Sequence, residues 1–71
     1  MAKHWLGGPP ETCDICTKPI VHSFIDGKTT SGPWALMCEH CHKAHGVGLG
    51  LGRGQRYVLH LGTNKFMKSE G

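Results

Sequence analysis

Seventy-one residues, eleven of them glycine and four proline, allow one small domain and leave little material for long helices. No stretch approaches the roughly 20 apolar residues of a membrane span, and the opening MAKHWLGGPPE lacks the apolar run of a secretory signal, so a reducing compartment without membrane contact is expected. The formal charge of +3 falls to about +1 once four thiolates and one divalent ion are counted, so bulk charge alone does not specify nucleic acid.

In chain order, residues 1–12 read as a Gly/Pro arm carrying Trp5 and Leu6. Cys13-x2-Cys16 follows, a spacing at which one tight turn aims two sulfurs at a single ion. Residues 20–25 have strand composition, with Ile20, His22 and Phe24 alternating against Val21, Ser23 and Ile25. Asp26-Gly27 predicts a turn, residues 28–33 a polar loop ending in Gly-Pro, and residues 34–38 a return strand. The second pair, Cys38-x2-Cys41, then closes a hairpin carried between two knuckles. Residues 46–54 read as a Gly-rich loop, residues 57–61 as a third short strand, and residues 62–71 as a basic tail. Phe24, Trp34, Leu36 and Tyr57 are the expected core. The fold class is a small, metal-stabilised, mostly β zinc ribbon spanning residues 13–61.

The cysteines carry the strongest chemistry. Two pairs supply the four corners of a tetrahedron, and four thiolates leave no coordination position open, which predicts one structural Zn2+ on Cys13, Cys16, Cys38 and Cys41. Iron would use the same four thiolates. Cys38-Glu-His-Cys-His42 also fits a c-type haem attachment pattern, but haem would leave Cys13 and Cys16 without a role. His40, His42 and His45 are surplus to a site that four cysteines already close.

Charge is distributed unevenly. No acidic residue stands between His40 and Ser69, whereas Lys43, Arg53, Arg56, Lys65 and Lys68 all do. Within GVGLGLGRGQRY, alternate glycines are poor strand formers that permit close backbone approach. Arginines hold phosphate bidentately. Lys43, Gly50, Gly52, Arg53 and Arg56 are therefore the candidate partner-binding residues. The absence of Gly-Lys-Ser/Thr excludes a Walker loop, and no small-molecule substrate is expected.

Residues 13–57 also resemble small zinc-ribbon proteins encoded by tailed bacteriophages and prophages. The resemblance rests on FIDGKTTSGPWALMCEHCH followed by GVGLGLGRGQRY. It implies a phage-related setting and a zinc site at the four cysteines, and supplies no activity. LMCEHCHK is in addition similar to the closing segment of HNH endonucleases, with His22 in the place of the general base. There the acidic residue before that base is Val21, and Pro33 or Trp34 stands where an Asn is expected.

The expectation is thus a non-enzymatic binding protein of the host cytoplasm or the virion. Its partner is nucleic acid or a nucleic-acid-handling assembly, met through the basic Gly-rich half. A protein-interaction or virion-structural role and a degenerate HNH-like nuclease are the alternatives.

Overall fold

The computed structural model describes residues 10–71; of the arm read at residues 1–12, residues 1–9 lie outside that range, while Glu11 and Thr12 pair with the segment after the first cysteines, the Glu11 carbonyl accepting from Ile20 N–H. Its elements are β1 (Ser23–Lys28), β2 (Trp34–Met37), α1 (Glu39–His45), β3 (Gly54–His60) and β4 (Lys65–Glu70). The strands form one antiparallel sheet in the order β2-β1-β3-β4. The small, mostly β fold class read from the sequence holds.

Alternation sorts the side chains between two faces. Ile25 stands opposite Met37 on one side and Arg56 on the other, and this face carries α1, as the bonds of Glu39 to Ser23 and Arg56 show. Ile25 and Met37 are fully buried beneath it. The outer face holds Phe24, also fully buried, stacked on Tyr57 at 5.2 Å and met edge-on by Phe66 at 5.0 Å.

Several expected boundaries move. Asp26 and Gly27 lie inside β1 rather than in a turn, and β1 begins at Ser23. The reason is cross-strand packing. Gly27 pairs with Ala35 and with Gly54, and a Cβ on Gly54 would approach the Gly27 Cα to 3.1 Å. Close strand pairing thereby overrides a local turn signal. The reversal comes at residues 29–32, where the Thr29 N–H and hydroxyl both donate to the Pro33 carbonyl.

The stretch read as a second knuckle runs directly into α1. The stretch read as a basic tail is the fourth strand, so the sheet reaches Glu70 rather than ending near residue 61. The hairpin between β3 and β4 turns on the His60 carbonyl, which accepts from Thr63 and Asn64, with Asn64 at positive φ. Among the expected core residues Phe24 is buried and Leu36 and Tyr57 are half-buried, but Trp34 is 48% exposed because β2 is an edge strand. Ile25, Met37 and Phe66, absent from that expectation, complete the buried set with the cysteines.

Phe66→Ala is expected to destabilise the chain by about 3 kcal/mol or more, the usual loss for a buried phenylalanine. Denaturant unfolding of the metal-loaded protein measures it. A loss near zero would return residues 62–71 to the status of a tail.

Candidate metal centre and the basic cleft beside it

The first cysteine pair sits in a closed turn. Thr17 N–H donates to the Cys13 carbonyl at 3.0 Å and Cys13 N–H to the Lys18 carbonyl at 3.0 Å. Thr17 adopts φ 62°, a left-handed conformation that a β-branched residue rarely takes, so the knuckle holds local strain. The turn is fastened to the edge of the sheet through Asp14. Its N–H donates to the Leu36 carbonyl, and its carboxylate accepts from the Leu36 N–H, both at 2.9 Å.

The second pair is built differently. Cys38 is the N-cap of α1 and Cys41 lies in its first turn, so helical i, i+3 spacing turns both sulfurs the same way. Cys38 makes no side-chain cap, its sulfur facing Cys16 instead. Cys13 and Cys41 are buried, packed with Met37.

All four sulfurs lie within 4.8 Å of one another. Cys16 and Cys38 Sγ are 3.7 Å apart, far beyond a disulfide bond. The edge of a tetrahedron with 2.3 Å metal–sulfur bonds is about 3.8 Å, so the geometry fits a tetrathiolate ion. Electrostatics agrees. Burial pushes the Cys13 thiol up, but the N–H groups of Cys16, Cys38 and Ile15 stabilise its thiolate and bring it down to about 6. Burial and the sulfurs of Cys13, Cys16 and Cys38 push Cys41 up to about 12. Four thiolates cannot share this space without a cation, and the donor set is one that holds a metal ion.

Beyond the cysteines, α1 positions the Gly-rich loop. His42 Nε2–H donates to the Gly48 carbonyl at 3.0 Å. Gly46 makes this possible, since a Cβ there would collide with the His42 imidazole and carbonyl. The loop then closes a turn in which Gly50 N–H donates to the Gly54 carbonyl at 2.8 Å, and Gly54 N–H to the Gly50 carbonyl at 3.0 Å. Gly50 has φ 125°, and the Arg53 guanidinium lies over it where a Cβ would come within 2.8 Å. Gly52 is exposed at the tip, next to a Leu51 that is 97% exposed and covers no core.

Glu39, His40, His42, Lys43, Gly48 and Arg56 line an open cleft of about 530 Å³ between this loop and the helix. The candidate partner-binding residues divide here. Lys43 and Arg53 are exposed, and neither joins an ion pair among the described residues. Arg56, expected to grip phosphate, is instead held bidentately by Glu39, with both bonds at 2.9 Å, and also by Glu70. Its guanidinium clamps α1 and β4 onto β3. Both acids lie outside the basic stretch in sequence, which is why counting charges along the chain missed the clamp.

Among the described residues the histidines form no second cluster. His22 precedes β1 and its carbonyl accepts from Leu59 N–H. Among the described residues, the four cysteines are the group of three or more His, Cys, Asp or Glu placed to share an ion.

One tightly bound metal ion per chain is expected, and strong chelator should abolish the folded circular-dichroism and fluorescence signatures, because binding energy is folding energy in such domains. A chain that stays folded in chelator refutes a structural role. Arg56→Ala should lower stability by about 1 kcal/mol, the screened value for carboxylates this exposed, with metal content unchanged. Denaturant melts and metal analysis of the same sample test it, and an unchanged melt removes the clamp.

No protein-family model, no curated protein and no solved structure matches the chain. The geometry of its own residues is what bears on its function.

Proposed function

We propose that this chain is a non-catalytic binding module, held together by one structural zinc ion, that contacts nucleic acid through the surface shared by α1 and the Gly-rich loop. The observation carrying this reading is the His42–Gly48 hydrogen bond, which seats the loop beside the metal-bearing helix. Lys43 therefore lines the same cleft as Gly48, over which Arg53 reaches with its guanidinium outside any ion pair among the described residues. Anchoring through the metal site lowers the ordering cost of binding. Lys43 and Arg53 are then the phosphate contacts, and Arg56 is their support. Zinc rather than iron is the ion proposed, and a colourless preparation with one zinc per chain supports it where a red one points to iron.

The likeness of residues 13–57 to phage-encoded zinc-ribbon proteins supports a setting in the infected host cell or on the virion. Leu51, 97% exposed on a closed turn, favours the second reading, a phage or host protein assembly as partner.

Lys43→Ala/Arg53→Ala is expected to weaken binding of a labelled oligonucleotide. It should also flatten the dependence of log affinity on log salt by about one unit for each phosphate that is no longer neutralised. Fluorescence anisotropy at several salt concentrations measures both, with zinc content and circular dichroism unchanged. If the double variant binds with the parent's affinity and slope, the cleft is not the nucleic-acid surface.

A further inference from the structure

The end of the sheet away from the cysteines carries a feature that the cleft does not use. Trp34 opens the edge strand β2 and is 48% exposed. Directly opposite it in the register stands Lys28, so indole and ammonium share the outer face. Lys28 N–H in turn donates to the Arg53 carbonyl at 2.9 Å, which brings the Gly-rich turn to the same level. The residues leading into Trp34 include Thr30, Ser31 and Gly32, all exposed and small, and among the described residues nothing lies within 4 Å of a Cβ built on Gly32. About half of the tryptophan surface is thus left to solvent.

Lys28 enters no ion pair among the described residues, while Glu39 and Glu70 are taken by Arg56. The carboxylate on the same face of β1 is the half-buried Asp26, two positions back from Lys28. A flat apolar ring with a lysine directly opposite it complements a polyanion that carries exposed aromatic faces.

We propose that Trp34 is a stacking platform for an unpaired base, with Lys28 on an adjacent phosphate, so that the nucleic acid bound by this chain is single-stranded. This inference rests on the nucleic-acid reading above and adds strandedness to it. A duplex hides its base faces in the stack and offers Trp34 nothing, whereas a single strand presents a π-face at every nucleotide. The selectivity therefore lives in the tryptophan and the affinity common to both forms in the cations.

The test compares two labelled probes on the full zinc-loaded chain, a thymidine oligonucleotide of about 15 nucleotides and a hairpin duplex of matched phosphate count. The parent should prefer the single strand. Trp34→Ala should lose about tenfold on it and leave the duplex unchanged, while Trp34→Phe keeps most of the preference. Zinc content, reporting on the far end of the hairpin, verifies folding of each variant. Equal affinity of the parent for both probes overturns the inference while phosphate binding at the cleft stands. So does undiminished single-strand binding by Trp34→Ala. Absence of binding to either probe sinks this inference and the nucleic-acid reading together.

Discussion

The convergence of four sulfurs within 4.8 Å is the constraint on which the rest of the molecule depends. It joins a turn at residues 13–16 to the first turn of α1, two segments with the whole β1–β2 hairpin between them. Neither segment has much else to hold it. The helix is only seven residues long, too short to persist in isolation. The knuckle contains a threonine in a left-handed conformation. Their four sulfurs, placed where a metal ion could be held, form a staple, and Met37 packs against it.

Two consequences follow from the staple. The knuckle lies along β2 through the paired Asp14–Leu36 bonds and covers an edge that would otherwise present open backbone groups. The helix is laid across β1 and β2, and its Glu39 reaches on to Arg56 of β3. That arginine also takes Glu70, so metal site, central strand and last strand are bound through one guanidinium. A charge that looked available in the chain is thus committed inside the fold. Among the described residues, the exposed cations outside any ion pair include Lys28, Lys43 and Arg53.

The glycines serve packing as much as recognition. Gly27 and Gly54 let β1 and β3 approach closely, and a side chain on Gly54 would also crowd the Gly48 carbonyl. Gly46 clears room for the His42 ring, and the bond from that ring carries the order of the cysteine-bearing helix into the loop. Order passes from sulfur to helix to loop by named contacts. A recognition surface built this way is preformed despite its glycine content.

The four-cysteine cluster was legible in the sequence because a CxxC pair is a local pattern whose spacing alone aims two sulfurs, and two such pairs complete a tetrahedral set. The hairpin and the β2 strand followed from equally local cues, alternation and turn residues. Non-local partners decided the remainder. Asp26-Gly27 reads as a turn until Gly54 arrives opposite Gly27, and the Lys65–Glu70 stretch reads as a polar tail until β3 gives it hydrogen bonds and Phe24 gives Phe66 a ring to pack on. Arg56 reads as a phosphate anchor until Glu39 and Glu70, 17 and 14 residues away, close on it. Trp34 reads as core until the strand order leaves it on an edge. Local spacing determines which atoms can bind a metal; which charges and rings stay exposed depends on what the fold sets against them, and only the tertiary structure decides that.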